Sequence, residues 1–173
     1  MEKMRISSVS IADIEILQQI GKDTFFETFS ANNSEEDMKK YLENSFSIPK
    51  LTAELNNPDS RFFIVWDDVN AVGYLKVNFG QAQTELQDDT AIEIERIYVK
   101  SEYHGQKVGQ LLYEKALEIA EQEQMKYVWL AVWEENQRAT RFYTKNGFVA
   151  FDKHIFRLGD EEQTDIMMKK ELR

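Results

Sequence analysis

The first third of the chain is dominated by apolar residues at the three- and four-residue spacing of amphipathic helices. A short opening strand in "MRISSV" comes first, and a helical series then begins behind Ser10, an N-cap residue whose partner in a partial capping box is Asp13. This first series consists of Ile11, Ile14, Leu17 and Ile20. A second series behind the N-cap Ser34 consists of Met38, Tyr41, Leu42 and Phe46. A short helical piece around Leu51 and Leu55 ends near "NNPDS".

The pattern then changes to apolar runs separated by polar turns. "RFFIVW" and "AVGYLKVN" surround the turn "DDVN", which predicts a β-hairpin, and "TAIEIERIYV" alternates as a strand does after the polar loop "GQAQTELQDD". A helix stripe consists of Val108, Leu112, Ala116 and Ile119. After it come the buried strand "YVWLAV", the helix "ENQRATRFYTKNGF" with its stop at Gly147, and the closing strands "FVAFDKHIF" and "TDIMMKKEL". This order predicts an α/β fold with helices between strands in the second half.

Length and composition narrow the class of protein. The 173 residues, of which 42% are hydrophobic and 30% charged, fit one domain over 1–173. No apolar run approaches the ~18 residues of a membrane span, and the N-terminus lacks a signal-peptide pattern, so we expect a cytoplasmic protein that does not enter a membrane. The absence of cysteine excludes thiolate metal sites and a covalent cysteine intermediate.

The net charge of −10 bears on the ligands that the protein can attract. A nucleic-acid-binding protein normally presents a basic face, so that function is disfavoured. An acidic protein attracts cationic ligands over long range, although the same acidity can serve solubility alone. His104 and His154 stand apart in the sequence and no cluster of metal ligands accompanies them, so we expect no metal site.

The stretch "YHGQKVGQLL" lies where a strand ends at Val99 and a helix begins near Val108. The intervening chain would bring unpaired backbone N–H groups to a helix N-terminus, where an anion such as a pyrophosphate is stabilised. A polar turn with no ligand is the alternative, because many junctions between a strand and a helix contain glycine.

A second stretch with residues suited to catalysis is "NQRATRFYTKNGF". Asn136 can cap its helix, and Tyr143 can be an ordinary core aromatic. A tyrosine hydroxyl is also a general acid suited to a thiolate leaving group. The residues alone leave both roles of Tyr143 open.

Together the two stretches resemble the GNAT superfamily of acyl-CoA-dependent N-acetyltransferases. The family's cofactor loop, Q/R-x-x-G-x-G/A, corresponds to His104-Gly105-Gln106-Lys107-Val108-Gly109. Its later motif, N-x-x-A-x-x-F-Y-x-K-x-G-F, is matched in full by Asn136, Ala139, Phe142, Tyr143, Lys145, Gly147 and Phe148. The loop departs from the family in His104 and in Lys107, which replaces the first motif glycine. If that position requires a positive φ, lysine adds strain, while its ammonium could meet a phosphate.

A narrower resemblance points to the acceptor. "DTFFETFSANNSEEDMKKYLENSF", "IEIERIYV", "VWLAVWEENQRA" and "GDEEQTDIMMKK" are similar to PaiA-type acetyltransferases, which act on spermidine and spermine. The resemblance therefore implies transfer of acetyl from acetyl-CoA to a primary amine of a polyamine by direct attack. The alternatives are another amine acceptor (a protein N-terminus, a lysine or an aminoglycoside) or a non-catalytic acyl-CoA-binding regulator. A homodimer is left open.

The resemblance also implies a fold and a cofactor site. We expect a single domain with a mixed sheet of about six to seven strands, flanked by helices and splayed in a V between two parallel strands. Acetyl-CoA would lie in that opening, with its pantetheine arm against the backbone of Ile97, Tyr98 and Val99 and beside Asn136. Its phosphates would lie on the amides of His104, Gly105, Gln106, Lys107, Val108, Gly109 and Gln110, with Lys145 as an additional contact.

The reaction needs a base because an amine attacks only when neutral. With a pKa of ~10.4, such an amine is mostly protonated at pH 7, which costs about 4–5 kcal/mol. Glu93 and Glu95 share one face of the strand beside the cofactor, although a bulge would shift the phase of later residues. The choice between them stays open, with Glu95 slightly preferred. Tyr143 would return a proton to the CoA thiolate.

The acceptor side requires carboxylates for a polycation and an apolar path for its methylenes. Glu27 in "FFETF" is the preferred carboxylate, and Tyr41 is a candidate for the apolar wall. Each has an ordinary alternative, since Glu27 can be an exposed helix acid and Tyr41 a core side chain.

Overall fold

A central mixed sheet organises the molecule, and the computed structural model describes it for residues 4–173. The strands are β1 Met4–Ser8, β2 Ser60–Asp67, β3 Asn70–Asn78, β4 Ala91–Val99, β5 Tyr127–Trp133, β6 Val149–Leu158 and β7 Glu161–Glu171. The helices are α1 Ile14–Phe29, α2 Glu35–Ser45, α3 Ile48–Asn56, α4 Val108–Gln122 and α5 Gln137–Lys145. The strand order is β1-β2-β3-β4-β5-β7-β6, and β4 pairs with β5 in parallel while the other neighbours are antiparallel. This confirms the predicted fold class.

Helix ends follow the predicted capping residues. The Ser34 hydroxyl oxygen accepts from the Asp37 amide at 3.1 Å, which satisfies one of the unpaired N–H groups at the start of α2. Ser10 donates its amide to the Asp13 carboxylate at 3.2 Å, in a short 3₁₀ turn that precedes α1. Gly147 follows α5 with a φ of +94°, a conformation in which a side chain would be strained.

The sheet carries a hydrophobic core on each face. On one face α4 and α5 pack against the apolar side chains of β3, β4 and β5, among them Leu75, Ile92, Ile94, Leu130 and Val132. On the other face α1, α2 and α3 cover a second core rich in aromatic residues. No helix within residues 4–173 combines the length and the apolarity needed to cross a bilayer.

A β-bulge in β4 changes which side chains face each core. Lys76 of β3 pairs with Arg96 while the next residue, Val77, pairs with Ile94, so Glu95 is the extra residue on β4. Ile97 consequently packs on the same core as Ile94, and the sequence expectation of a phase change is confirmed. The bulge leaves Glu95 and Arg96 adjacent on the α1–α3 side of the sheet, where both line a cavity described below.

The parallel pair β4–β5 opens after a short stretch of pairing. Its register covers only Ala91–Ile94 against Tyr127–Leu130, whereas β5 continues to pair with β7 as far as Trp133. From Glu95 onward, the edge of β4 that faces β5 therefore has no strand partner. This is the predicted V-shaped splay, and the unpaired backbone groups that it leaves can hydrogen-bond a ligand.

Candidate functional site

A cavity of about 920 Å³ begins in the splay and extends over the loop before α4. Its wall brings together most of the predicted cofactor residues: Ile97, Tyr98, Val99, His104, Gly105, Lys107, Val108, Gly109, Gln110, Asn136 and Lys145. Gln106 does not line this cavity, and its backbone amide donates to the Tyr103 carbonyl at 3.3 Å, so it is not available to a phosphate. The His104 backbone amide is likewise occupied, since it donates to the Ser101 carbonyl at 3.1 Å. Residues from β4, the loop before α4 and α5 thus line one continuous cavity, which is large enough for a nucleotide-sized ligand.

The loop before α4 has the backbone shape of an anion cradle. Gly105 has a φ of +85°, and Lys107, which caps α4, has a φ of +65° and a ψ of 18°. A Cβ at Gly109 would meet only Val99 Cγ2, at 3.9 Å, so this glycine leaves open room beside the helix N-terminus. His104 Nε2 lies 3.0 Å from the Val99 carbonyl and ties the loop to the end of β4. Amides at a helix N-terminus with this room around them fit a pyrophosphate.

A smaller cavity of about 300 Å³ lies on the α1–α3 side of the sheet. Its aromatic wall includes Phe25, Phe29, Tyr41, Trp133 and Phe156. The Phe25 and Tyr41 rings stack with their centroids 4.4 Å apart, and Phe29 lies 5.1 Å from Trp133. Tyr41 lies on this aromatic wall, which can accommodate methylene groups, and its role in acceptor binding stays a prediction.

Glu27 lies on the wall of the larger cavity and not on that of the smaller one. Its carboxylate accepts from the amide and from the hydroxyl of Ser101, each at 3.0 Å. These bonds link α1 to the chain that leaves β4, and they occupy both carboxylate oxygens. A direct role of Glu27 in amine binding stays a prediction.

The two cavities share a wall at Tyr143 of α5. The residues common to both are Thr28, Ile97, Tyr98, Trp133, Asn136, Ala139 and Tyr143. Asn136 also caps α5, since its side-chain oxygen accepts from the Ala139 amide at 3.2 Å. Burial raises the pKa of the Tyr143 hydroxyl well above its ordinary value, so the group carries its proton throughout the neutral range. The protonated hydroxyl of Tyr143 therefore lies where ligands in the two cavities would meet.

Glu95 is held by cations on both sides. Its carboxylate lies 2.6 Å from Lys76 Nζ and 3.4 Å from the Arg96 guanidinium, and it accepts from the Asn78 amide at 2.9 Å. Burial opposes ionisation of Glu95, but Arg96 and Lys76 outweigh it and lower the pKa to about 2. A carboxylate in this environment is a weak base.

Glu93 has the opposite environment, although it shares Asn78 with Glu95. It is 2% exposed, and it accepts from the Thr84 hydroxyl at 2.5 Å, the Thr84 amide at 2.8 Å and Asn78 at 3.0 Å. Burial raises the pKa of Glu93, and the hydrogen bonds from Thr84 and Asn78 offset only part of that effect. Glu93 is therefore the better proton acceptor of the two carboxylates.

Glu54 of α3 completes the charge arrangement, although no pattern in the sequence predicts it. Its carboxylate pairs with Arg96 at 3.0 Å and with Lys76 at 3.4 Å, so two carboxylates and two cations form one mostly buried cluster. Lys76 is the one sequence feature that indicates a buried charge cluster, because a lysine inside the apolar run "AVGYLKVN" must find buried partners. Nothing in the sequence identifies Glu54 as that partner, since α3 and β3 meet only in the fold.

Asp165 is a second residue of the smaller cavity that the sequence does not predict. Asp165 of β7 lies directly between Trp133 of β5 and His154 of β6 in the sheet register. His154, isolated in the sequence, has Nε2 at 3.8 Å from Asp165 and Nδ1 at 3.7 Å from Glu85. Within the described part of the chain, no three His, Asp or Glu side chains are grouped to hold a metal ion.

Comparisons with known proteins agree with this geometry. The profile of the acetyltransferase (GNAT) family matches residues 20–148. An uncharacterized N-acetyltransferase of Lactobacillus delbrueckii subsp. lactis is 38% identical over 99% of each chain, and the spermidine N(1)-acetyltransferase of Thermoplasma acidophilum is 26% identical over 96% of each. The crystal structure of PaiA N-acetyltransferase from Thermoplasma acidophilum in complex with coenzyme A superposes with a TM-score of 0.81 at 26% identity, covering 97% of this chain and 98% of that one.

Proposed function

The chain belongs to the GNAT family of acetyltransferases, and from that premise we propose that it transfers acetyl from acetyl-CoA directly to a primary amine of a polyamine such as spermidine or spermine. The observation that carries this proposal is the meeting of the two cavities at Tyr143. One cavity has the amide-rich loop and the open strand edge that suit CoA, and the other has an aromatic wall with carboxylates. Two substrates held in contact need no covalent enzyme intermediate, and the chain has no cysteine to form a thioester.

Acetyl-CoA supplies an activated acyl group, and the residues divide its binding between them. The backbone amides of Gly105, Lys107 and the first turn of α4 would bind the phosphates, because those of His104 and Gln106 already donate to the Ser101 and Tyr103 carbonyls. The free edge of β4 at Ile97 and Val99 would bind the pantetheine arm. Asn136 and Lys145 lie on the same wall, at the two ends of α5.

The proton transfers are assigned to Glu93 and Tyr143. Glu93 would take the proton of the incoming ammonium, directly or through water, because its pKa is raised while that of Glu95 is lowered to about 2. This reverses the slight preference for Glu95 that the sequence supports. Glu95 would instead hold Lys76 and Arg96, which keeps the bulge of β4 in place.

A polyamine fits the smaller cavity in charge and in shape. Arg96 and Lys50 also line that cavity, but Arg96 pairs with both Glu54 and Glu95, and Lys50 pairs with Glu54, which offsets much of the positive charge at that end. Glu93 and Asp165 remain to attract cations, and the aromatic wall suits the methylene segments between them. The similarity to a spermidine acetyltransferase supports the same class of acceptor.

A panel of amines tests the proposal. Thiol release from acetyl-CoA is measured with spermidine, spermine, a peptide with a free N-terminus, a lysine peptide and an aminoglycoside. We expect the highest kcat/KM with a polyamine. A higher kcat/KM with a peptide or an aminoglycoside would redirect the acceptor assignment, and CoA binding without turnover on every amine would favour a regulatory role.

Lys107 allows a separate test of the cofactor loop. Its left-handed backbone costs a lysine about 1–2 kcal/mol, so Lys107→Gly should raise Tm. The same change removes an ammonium from the cavity wall. We therefore expect the Kd for CoA to rise about threefold to tenfold, equivalent to ~1 kcal/mol for an exposed charge contact.

Lys107→Asn is the matched variant, because asparagine tolerates the left-handed conformation and lacks the charge. Titration calorimetry with CoA should show the same weakening in both variants. Tighter binding in Lys107→Gly would show that backbone strain, and not lost charge, dominates at this position.

A further inference from the structure

The carboxylate of Asp165 is an unusual member of the acceptor cavity. Only 16% of its side chain is exposed, yet among the described residues no hydrogen-bond donor reaches it. The Nε2 atom of the neighbouring His154 lies 3.8 Å from its carboxylate, beyond hydrogen-bond distance. A mostly buried carboxylate with no donor in the protein is stabilised by a ligand that supplies one. Burial accordingly raises the pKa of Asp165, and His154 offsets that effect only in part.

The surroundings of Asp165 define what kind of donor can reach it. It lines the smaller cavity together with the aromatic side chains of Trp133 and Phe156. An aromatic wall next to a carboxylate accommodates an alkyl chain that ends in an ammonium, since methylene groups pack on the rings and the charge meets the acid. A neutral polar ligand would leave the carboxylate without charge compensation.

The position of Asp165 along the sheet sets a distance. Pairing between β4 and β5 ends at Leu130, and Trp133, the register partner of Asp165, lies further along β5. At ~3.3 Å of rise per residue, Asp165 is about 7–10 Å along the sheet from the point where the splay opens. At about 1.2 Å per bond, a chain of roughly six to eight bonds spans that gap.

We propose that Asp165 binds the distal ammonium of the acceptor and so selects diamines and polyamines over monoamines. This inference rests on the proposed function, and it identifies a specificity-determining residue in the site. The amine that reacts lies at the splay near Tyr143, and the second ammonium lies against Asp165, with the chain between them on Trp133 and Phe156.

Two acceptors of the same length measure the effect of the distal ammonium alone. Hexane-1,6-diamine and heptylamine have equal numbers of heavy atoms and differ in one terminal ammonium. We expect Asp165→Asn to lower kcat/KM for the diamine about tenfold to a hundredfold, the range for hydrogen bonds to charged groups, and to leave heptylamine unchanged. Asp160→Asn is the control, because Asp160 lies in the turn between β6 and β7 and outside the cavity wall. An equal effect of Asp165→Asn on both amines, or none on either, overturns the inference.

Binding gives a readout that does not need turnover. Titration calorimetry of hexane-1,6-diamine into the CoA-loaded protein should show binding that is lost in Asp165→Asn, and binding retained in the variant contradicts the proposal. If no amine is acetylated, the proposed function fails while this titration still decides the role of Asp165.

Thermal unfolding shows whether Asp165→Asn is folded, and its pH dependence gives a further prediction. Because the folded-state pKa of Asp165 is raised, the stability contributed by its protonated form is lost as pH rises through that pKa. Asparagine does not ionise, so Asp165→Asn should have a higher Tm than the parent at pH 7, and the difference should shrink at pH 4.

Discussion

Tyr143→Phe is expected to lower kcat about a hundredfold or more while leaving the Kd for CoA unchanged. The hydroxyl is the only group removed, and general acid catalysis contributes roughly 10²–10⁴-fold. Tyr143 lies on the wall shared by both cavities, where charge would develop on the departing sulfur. Its raised pKa keeps the hydroxyl protonated, so it can donate a hydrogen bond to that sulfur before the proton is transferred.

Tyr113→Phe is the matched control for this prediction. Tyr113 is also buried, but its hydroxyl accepts from Lys170 at 3.0 Å and lines neither cavity. Its removal should lower Tm, because the bond to Lys170 is lost, and leave kcat nearly unchanged, because the hydroxyl lines neither cavity. Full activity in Tyr143→Phe, with the chemical step shown to limit the rate, would contradict the assignment.

Glu93→Gln is expected to lower kcat/KM about a hundredfold or more, and Glu95→Gln to act mainly on stability. In the parent enzyme kcat/KM should fall as pH falls through the raised pKa of Glu93, because only the ionised carboxylate accepts a proton. This acidic limb should disappear in Glu93→Gln. The remaining rise with pH then reports deprotonation of the amine itself.

Glu95→Gln removes one of the carboxylates that neutralise Lys76 and Arg96, and Glu54 alone then faces both cations. Breaking a buried ion pair costs about 3–5 kcal/mol, so we expect a clear fall in Tm. The folded fraction should keep kcat/KM within about tenfold of the parent and retain the acidic limb. An acidic limb that is lost in Glu95→Gln and retained in Glu93→Gln would transfer the base role to Glu95.

Local patterns in the sequence predict the elements and most of the residues that line the larger cavity. Ser34 caps its helix and Gly147 ends its helix through interactions with near neighbours, so short motifs suffice for both. The loop before α4 is likewise one continuous stretch, and its residues reach the cavity because a strand leads directly into a helix. The positive φ of Lys107 follows from the same reasoning, since the family places glycine there.

Such local patterns do not predict ion pairs between residues of different helices and strands. Glu54, Lys76 and Arg96 come from α3, β3 and β4, and their pairing sets the pKa of Glu95. The sequence places Glu93 and Glu95 on one face but contains no information about which carboxylate meets cations. Asp165 reaches the smaller cavity only because β7 inserts between β5 and β6.

Mass spectrometry of a single-turnover reaction tests whether acetyl passes directly between two substrates bound at the same time. The protein is mixed with one equivalent of acetyl-CoA, with and without spermidine, and both the intact protein and the small molecules are weighed. We predict one equivalent each of acetylspermidine and free CoA with spermidine, and unmodified protein with intact acetyl-CoA without it. Acetylated protein formed before spermidine is added, or CoA released with no acetylated amine, would contradict the account.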